Sequence, residues 1–394
     1  MAEYFVVNIY EGNIIMQPLS WVEVNLDSIR HNVGEIRRII GDSCQIMAIV
    51  KADAYGHGAV AVAKTVVDAG VQRLGVASLN EAIQLREAGI ICPILNLGAI
   101  RTEDVGDCVH YSITPSIFLW DAAKTFSDYA IFKGIKVKLH IKIDTGMRRL
   151  GVSYTEAFEF VKKIHSLPGI EIEGIFSHLA ASDSTNKAYA YEQFRRFKGI
   201  ISRLKKIGIV APITHIANSG AILDLPEMRL DMVRPGITIY GLFPSKSVSQ
   251  QVSLQPAMSF KTRIIFLKDM PKDLPVHGFL PVYGGISYGR TYVKKGLKVA
   301  TIPVGYSDGY PRALSNKAEV LIHGQRAPII GTVTMNFCMI DVSHIMDVKI
   351  DDEVILFGGQ LAVDELAEIC GTISYEILCG INSHIPRIYV SGRI

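Results

Sequence analysis

The sequence predicts an α/β protein, in which an N-terminal (β/α)8 barrel is followed by a mostly β C-terminal domain. Between residues 26 and 242, short β-branched runs alternate with longer amphipathic segments, a pattern typical of βα units around a parallel sheet. After residue 250, closely spaced strands are separated by glycine and proline turns, as in all-β domains. A chain of 394 residues is long enough to contain both parts.

Eight strand candidates match the number of units in such a barrel. Amphipathic helices are predicted between them, for example over 156–165 and 189–207, and another helix precedes the first strand with Asp27 as its N-cap. The predicted barrel strands are 46–51, 73–78, 93–97, 111–114, 137–144, 172–179, 212–217 and 232–241.

The second part of the chain contains six further strand candidates and one helix, over 363–370. We expect an N-terminal extension over 1–24 that packs with the β domain, a barrel over 25–250 and the β domain over 251–394. The predicted β-domain strands are 260–267, 292–304, 320–322, 328–333, 337–342 and 352–357.

Composition and charge narrow the class of partner. Lysine and arginine total 41 against 38 acidic residues, a net charge of +3 without a long basic run, which argues against a nucleic-acid partner. The first residues lack the basic region of a signal peptide, and the apolar segments are too short to span a bilayer. The six cysteines show no metal-ligand spacing. We therefore expect a cytoplasmic protein with reduced thiols, no membrane partner and no metal site.

The first predicted strand ends on Lys51, directly before a glycine-flanked turn. Because a lysine charge is costly to desolvate, a lysine at the mouth of a packed strand tends to become a usable amine of the kind that binds aldehydes. Judged alone, a lysine that merely caps a core strand is the better interpretation.

Polar side chains also occur at the ends of other predicted strands, and they favour the interpretation of Lys51 as a reactive amine. The carboxyl ends of barrel strands share one face, so a Lys, a His and an Arg there would be costly unless they share a ligand. The residues concerned are Lys142, Asp144 and Arg149 at the fifth strand, His178 at the sixth, Asn218 and Ser219 at the seventh, and Arg234 and Gly236 at the eighth.

An anion site is predicted at the seventh and eighth strands. Small residues there let backbone N–H groups reach a phosphate, with Ser219, Gly236 and Ile237 as the candidates. Glycines near strand ends also form ordinary turns, which is the alternative interpretation. Pyridoxal 5'-phosphate would satisfy both ends of the site, with its phosphate at these residues and its aldehyde at Lys51.

These motifs resemble those of the alanine racemases, barrel-type pyridoxal phosphate enzymes, over nearly the whole chain. The motif around Lys51 is highly specific, and the others follow in the expected order. The segments that carry the resemblance are 50–58, 142–151, 177–180, 218–219, 234–237, 287–291, 304–309 and 385–387.

The resemblance implies a two-base racemase that interconverts L- and D-alanine and supplies D-alanine for cell-wall peptidoglycan. Lys51 would carry the cofactor and serve as one base. Tyr288 would serve as the other, contributed by the β domain of a second subunit, so the resemblance also implies a homodimer with two composite sites. His178, linked to Arg234, would tune Tyr288.

The resemblance further assigns ligand contacts. Arg234 would face the pyridine nitrogen, and because a guanidinium retains its proton, the cofactor would be a weaker electron sink, which suits reprotonation at Cα. The remaining assignments are Tyr55, Asn218, Ser219, Gly236 and Ile237 near the cofactor, Arg149 on its phenolic oxygen and the substrate carboxylate, Lys142 as a carbamylated lysine, and Tyr306 and Met335 on the substrate.

Four positions depart from the usual pattern of the family: Thr334, Asn336, Arg148 and His384. They leave open a racemase of another amino acid, such as serine, lysine or ornithine. Decarboxylases of basic amino acids share a related barrel but pair the pyridine nitrogen with an acid, so Arg234 argues against them. A pyridoxal phosphate carrier needs no second base, and the β domain with Tyr288 argues against that class.

Overall fold

The computed structural model describes residues 5–10, 13–270, 285–288, 291–292 and 296–392. The chain divides into two compact units. The barrel unit is Leu26–Gln255, and the β unit combines Met1–Asn25 with Pro256–Ile394. Within the described residues, no helix has both the length and the apolar character needed to cross a membrane.

Three strands precede the barrel. Strands β1 (Phe5–Tyr10) and β2 (Asn13–Pro18) pair antiparallel with each other. Strand β3 (Ser20–Asn25) belongs to the large sheet of the β unit and buries Trp21, Val22 and Val24. The chain therefore contributes its first segment to the β unit before it enters the barrel.

The barrel unit contains eight parallel strands in one nearly closed sheet, which confirms the predicted fold class. The order is β11-β10-β8-β7-β6-β5-β4-β12, and a parallel bridge between Asn218 and Arg234 links the two ends. A short strand, β9, pairs with the end of β8. The strands are β4 (Gln45–Ile49), β5 (Arg73–Val76), β6 (Ile94–Asn96), β7 (Thr114–Ile117), β8 (Val137–Asp144), β9 (Val152–Ser153), β10 (Ile170–Phe176), β11 (Ile213–His215) and β12 (Met232–Val233).

Nine helices of the barrel unit are described, and the longer ones bury one apolar stripe each. In the first, Ile29, Val33 and Ile36 are buried at a spacing of three to four residues. The helices are α1 (Leu26–Ile40), α2 (Lys51–Tyr55), α3 (Ala59–Asp68), α4 (Leu79–Glu87), α5 (Val105–His110), α6 (Trp120–Lys133), α7 (Ala157–His165), α8 (Ala188–Lys206) and α9 (Ser219–Asp224).

Two predicted barrel strands were wrong in their extent. Residues 111–113 close helix α5, since the N–H of Ile113 donates to the carbonyl of Cys108, and β7 begins only at Thr114. The predicted strand 232–241 contains only β12, because Pro235 lacks an N–H and the chain then forms a 3-10 turn over Ile237–Tyr240.

The β unit is built on a nine-stranded sheet in the order β14-β17-β20-β19-β18-β21-β13-β3-β22, antiparallel except for β22 beside β3. This confirms the mostly β character predicted for it. Its remaining strands are β13 (Met258–Arg263), β14 (Phe266–Asp269), β15 (Gly285–Ile286), β16 (Thr291–Tyr292), β17 (Lys298–Ile302), β18 (Glu319–Ile322), β19 (Gln325–Ile330), β20 (Cys338–Asp341), β21 (Glu353–Phe357) and β22 (Arg387–Val390), with helices α10 (Val363–Cys370) and α11 (Ser374–Gly380).

Candidate active site

Lys51 lies two residues beyond the end of β4 and is half-buried. The four residues that follow it, 52–55, all have φ between 51° and 54°, which makes one left-handed turn out of non-glycine residues. Such a conformation costs about 1–2 kcal/mol per residue. Two carboxylates hold the turn, since Glu81 accepts from the N–H of Ala52 and Asp53 accepts from that of Ala59, both at 2.7 Å. The strained turn fixes where the backbone of Lys51 leaves the strand.

The residues of the predicted anion site lie where β11 and β12 end. The N–H of Gly236 donates to Ser219 Oγ at 3.0 Å, and Ser219 Oγ lies 3.1 Å from Thr238 Oγ1. Asn218 caps helix α9 by accepting from the N–H of Ala221, at 3.2 Å, and it also accepts from Ser182 at 2.6 Å. Ile237 is buried at the start of the 3-10 turn. The predicted residues of this region are therefore brought together around small side chains and backbone donors.

Tyr55 lies against this region. Its hydroxyl oxygen would be 2.5 Å from a Cβ at Gly236, so only glycine admits the tyrosine there. The ring of Tyr55 also packs against that of Tyr240, with 4.8 Å between centroids. We call Tyr55, Ser219 and Gly236 the phosphate cradle, because they bring two hydroxyl groups and a backbone N–H together, and such groups bind phosphate.

Arg234 is buried and its guanidinium is held by several acceptors. Nη1 donates to His215 Nδ1 at 2.7 Å, and Nη2 donates to the carbonyl oxygens of Ser177, at 2.7 Å, and Ile216, at 3.2 Å. Burial lowers the pKa of Arg234 to about 9, which leaves it protonated at neutral pH. Among the described residues, neither the Nε–H group nor the second N–H of Nη1 has an acceptor, so these two donors can be offered to a ligand.

His178 lies 3.3 Å from Arg234, through its Nδ1 and the arginine Nη2. Because arginine only donates, His178 Nδ1 is the acceptor and the proton of the neutral ring is on Nε2. Burial, with the positive charges of Arg234 and Arg149, holds the pKa of His178 well below its usual value. His178 is therefore neutral at physiological pH, with an Nε2–H that can donate to an oxygen.

Several cationic side chains lie near one another at the carboxyl ends of the barrel strands. Burial lowers the pKa of Lys142 to about 8, and Arg234, Arg149 and Lys51 act in the same direction. The carboxylate of Asp144 opposes them, but it already accepts from the backbone N–H groups of Gly146 and Arg148. The potential of the site therefore favours an anionic ligand, such as one with phosphate and carboxylate groups.

The β unit carries the other predicted site residues on its surface. Tyr288 lies in the turn after β15, at φ 54°, and its side chain is 85% exposed. Tyr306 begins a 3-10 turn, Tyr306–Asp308, that is joined to the loop of Met335, because the N–H of Tyr306 donates to Thr334 and Ser307 Oγ donates to the Met335 carbonyl at 2.8 Å. Both of these predicted substrate contacts are exposed side chains.

Three of the positions that depart from the family pattern contact this same 3-10 turn. The backbone carbonyl of Thr334 accepts from the N–H of Tyr306 at 3.0 Å, whereas its side chain bonds Phe337. Asn336 Nδ2 donates to Ser307 Oγ at 2.9 Å, and His384 Nε2 lies 2.9 Å from Asp308 Oδ1. Arg148 lies in the barrel unit instead, at φ 57° in the bend after β8. The unusual residues of the β unit thus support one element, the turn that presents Tyr306.

Sequence reasoning missed His140, Glu173, His215 and Arg73, which extend inward from Arg234 inside the barrel. Three of them lie within the predicted strands 137–144, 172–179 and 212–217. A histidine or glutamate within an otherwise apolar barrel strand is the signal that could have found them.

We expect the free energy of unfolding to fall as the pH drops below about 6.5. Burial lowers the pKa of His140, and it holds that of His215 well below its usual value, aided by Arg234. The unfolded chain therefore binds more protons in acid, so the stability is complete above the unfolded pKa and lost below it, by about 1.4 kcal/mol per pH unit for each such histidine. Urea unfolding at pH 7.5, 6.5 and 5.5 measures this.

A variant at the exposed His165, His165→Gln, should show the same pH dependence as the parent protein. An unfolding free energy that stays constant between pH 7.5 and 5.5 would contradict the prediction.

A parallel barrel with an amine at the end of one strand, a phosphate cradle at two others and a buried guanidinium donor defines the class of barrel-type pyridoxal phosphate proteins. The residues present fit that cofactor, because the cradle at Gly236 and the cationic donors suit a phosphorylated aldehyde. The family profile of the alanine racemase N-terminal domain matches residues 24–244, and that of the C-terminal domain matches 257–389. The chain belongs to the alanine racemase family, which uses pyridoxal 5'-phosphate.

Individual relatives agree with this assignment and confirm the resemblance found in the sequence. The alanine racemase of Desulforamulus reducens is 45% identical over 94% of this chain and 98% of its own. The solved alanine racemase of Clostridium difficile 630 superposes with a TM-score of 0.89 at 36% identity, covering 95% of this chain and 96% of that one. The structure from Bacillus anthracis with bound L-Ala-P has a TM-score of 0.85 at 36% identity and covers 95% of each chain.

Proposed function

We propose that this protein is a pyridoxal phosphate-dependent racemase that interconverts L- and D-alanine by a two-base mechanism. The observation that carries the proposal is the pairing of Lys51, fixed at a strand end, with a buried Arg234 in the same barrel. An amine selects an aldehyde cofactor, and a guanidinium at the position of an acid selects proton return over other reactions.

The residues that would hold the cofactor follow from the site. Lys51 would bind its aldehyde carbon, and Ser219, Gly236, Ile237 and Tyr55 its phosphate, with Asn218 fixing the helix that begins at Ser219. When bound, pyridoxal phosphate supplies an electron sink conjugated to the amino group of the substrate, which makes the Cα proton acidic.

The two faces of Cα need two bases. We assign Lys51 Nζ to one face and the phenolic oxygen of Tyr288, from a second subunit, to the other. His178 offers an Nε2–H to such a phenolic oxygen, because its Nδ1 already accepts from Arg234. Arg149, on the bend after β8, would bind the substrate carboxylate, while Tyr306 and Met335 would contact the substrate from the β unit.

Arg234 limits what the reaction can become. Its Nε–H can donate a hydrogen bond to the ring nitrogen, but a guanidinium that retains its proton would not give that nitrogen a full positive charge. With Arg234 in this role, the bound cofactor would supply a weaker electron sink. This favours return of a proton to Cα, the outcome that defines a racemase.

Lys142 is the residue that we propose to be carbamylated. Its pKa of about 8 leaves part of the amine neutral at neutral pH, and a neutral amine is the form that adds to carbon dioxide with loss of a proton. The product, the carbamate of Lys142, is an anion. It would remove the positive charge of Lys142 from this group of cations and give Arg149 an oppositely charged partner.

The assembly and the biological setting complete the proposal. We propose a homodimer with composite sites, because Tyr288 is 85% exposed on the β unit and a base must be excluded from bulk water to act on Cα. We also propose a cytoplasmic role in supplying D-alanine for peptidoglycan, which the alanine racemase activity of the family supports.

A second candidate substrate set has one structural argument in its favour. Asn336 and His384 depart from the family's usual residues, and the side chains of both contact the turn of Tyr306. A shift of that turn would change the space around the substrate side chain, so serine, lysine and ornithine are the alternatives to alanine.

The test is to incubate the purified protein with L-alanine in heavy water and to resolve the enantiomers over time. We expect deuterium at Cα together with D-alanine. Exchange with complete retention would mean that only one base acts and would contradict the two-base mechanism. Absence of exchange with alanine, but exchange with serine, lysine or ornithine, would move the assignment to that amino acid.

A further inference from the structure

A line of buried polar side chains leads from Arg234 into the barrel. Arg234 Nη1 lies 2.7 Å from His215 Nδ1, His215 Nε2 lies 2.9 Å from His140 Nδ1, and His140 Nε2 lies 3.1 Å from Glu173 Oε2. Glu173 also accepts two hydrogen bonds from Arg73, at 2.8 and 3.0 Å. Both histidines have no solvent exposure. We call these five residues the barrel relay.

The backbone is shaped to admit the relay. The pairing of β10 with β8 shifts register between Ile172 and Gly174, so Glu173 lies at a bulge, a feature that re-aims a side chain. A Cβ at Gly174 would lie 2.4 Å from the ring of His140, so the glycine leaves room for that histidine. The five side chains come from five different strands or strand ends, namely β5, β8, β10, β11 and the residue after β12.

Only one arrangement of protons satisfies the relay. Arginine has no acceptor, so His215 Nδ1 must accept from Arg234, and a neutral His215 then carries its proton on Nε2. That N–H donates to His140 Nδ1, which places the His140 proton on Nε2, directed at the Glu173 carboxylate. Burial keeps both histidines neutral by lowering their pKa values. Each hydrogen bond between Arg234 and Glu173 is therefore donated in the direction of Glu173, and Arg73 donates to the same carboxylate from its other side.

We propose that Glu173 is a positioning residue that fixes this proton order and thereby holds Arg234 with its Nε–H toward the ring nitrogen of the cofactor. The inference rests on the proposed function, because the ring nitrogen contact belongs to it. Glu173 acts through two histidines and touches neither substrate nor cofactor. Its charge is matched by Arg73, so the end of the relay is a paired carboxylate that can only accept.

Replacement of the Glu173 carboxylate by an amide would no longer force His140 to donate to residue 173. An amide at position 173 presents a donor as well as an acceptor, and Arg73 competes with His140 for its single oxygen. When the amide N–H faces His140, both ring protons reverse, and His215 turns a proton toward Arg234. Two donors then face each other, and the guanidinium is displaced.

Displacement of Arg234 has a defined chemical consequence. A cation close to the ring nitrogen disfavours protonation of that nitrogen, so moving the cation away strengthens the electron sink. A stronger electron sink raises the rate of transamination relative to racemisation. In that side reaction alanine leaves as pyruvate, and the cofactor keeps the amino group as pyridoxamine phosphate. Starting from the lysine-bound cofactor, this exchange consumes one water and releases the lysine amine, while alanine is oxidised by two electrons and the cofactor is reduced by the same two.

The first test reads the protons in the unmodified holoenzyme. With ¹⁵N-histidine labelling, NMR distinguishes the two neutral tautomers of each histidine. The signals are assigned with two variants, since the His140 signals disappear in His140→Gln and the His215 signals in His215→Gln. We expect the Nε2–H tautomer for both residues at pH 7.5. An Nδ1–H tautomer at either residue overturns the proposal, whether or not the enzyme racemises alanine.

The second test compares Glu173→Gln with a matched control, Asp224→Asn. Asp224 pairs with Lys187 at 2.6 Å in the same unit, and the side chains of Glu173 and Asp224 are each 11% exposed, but Asp224 has no hydrogen bond to the relay. We expect Glu173→Gln to raise the ratio of pyruvate formation to racemisation by about tenfold, the effect of a change of one unit in the pKa of the ring nitrogen. The NMR signals of His140 and His215 should also change, because their ring protons reverse. Asp224→Asn should lose stability only.

Equal ratios of pyruvate formation to racemisation in the two variants would overturn the role of Glu173. A parent protein that binds the cofactor but racemises no amino acid would instead refute the proposed function, while the tautomer measurement would still decide the proton order. If Glu173→Gln does not fold, the tautomers of the unmodified enzyme remain the deciding measurement.

Discussion

Replacement of Lys51 by alanine is expected to abolish the absorbance band of the lysine-bound cofactor and to lower the racemisation rate by about 1,000-fold or more. The variant lacks both the amine that binds the aldehyde and the base for one face of Cα. The phosphate cradle of Ser219, Gly236 and Tyr55 is untouched, so the cofactor should still bind, with the spectrum of its free aldehyde. Absorbance spectra and initial rates in both directions measure these effects.

The matched control is Lys64→Ala, which removes an exposed lysine from helix α3 and should change neither the spectrum nor the rate. Added methylamine should restore part of the activity of Lys51→Ala, since a small amine can occupy the space of the missing side chain. Persistence of the lysine-bound band in Lys51→Ala would refute the assignment of the cofactor lysine.

The second large effect is expected for Tyr288→Phe, which removes the phenolic oxygen and keeps the ring. One direction of proton abstraction from alanine should be lost far more severely than the other, because Lys51 still serves its own face of Cα. Isotope exchange at Cα, measured separately from L- and D-alanine in heavy water, reports the two faces.

The composite site can be tested by mixing the two variants. If Tyr288 acts in the site of a partner subunit, Lys51→Ala and Tyr288→Phe subunits in equal amounts should recover up to about a quarter of the parent activity after subunit exchange, since half of the dimers are then mixed and each has one intact site. Recovery should need both variants. No recovery despite demonstrated exchange would place both bases on one chain.

The sequence was informative wherever a strand is buried on both faces. Strand β8 was predicted with its observed bounds, 137–144, and β5 began at the predicted Arg73. Strand β8 alternates apolar and polar residues over its whole length, a period of two that the sequence shows directly. The polar residues at the strand ends then point to the site, because a parallel barrel places all those ends on one face.

The errors have local physical causes. Residues 111–113 have the composition of a strand, yet they close helix α5, and Ser112 takes a φ of 52° there. The sequence predicted a turn after Lys51 but not its left-handed form, since none of the residues 52–55 is glycine. The carboxylates of Asp53 and Glu81, which are among the groups that stabilise this form, are not recognisable as such in the sequence.

The barrel relay was missed for a different reason. His140 and His215 are 75 residues apart, and His140 is 33 residues from Glu173. Each looks like a single misplaced polar residue in its own strand. Their common role follows only from the distances between atoms, together with the rule that arginine cannot accept a hydrogen bond.

The near-closure of the barrel links folding to cofactor supply. The two strands at the gap, β11 and β12, are only three and two residues long, and they meet through the bridge between Asn218 and Arg234. The residues that follow these two strands provide part of the phosphate cradle and the guanidinium donor. A bound cofactor would therefore contact both sides of the gap and stabilise the pairing across it. Binding to the native state alone adds a free energy of RT ln(1 + [L]/Kd) to folding. Removal of the cofactor should therefore lower the free energy of unfolding of the barrel unit.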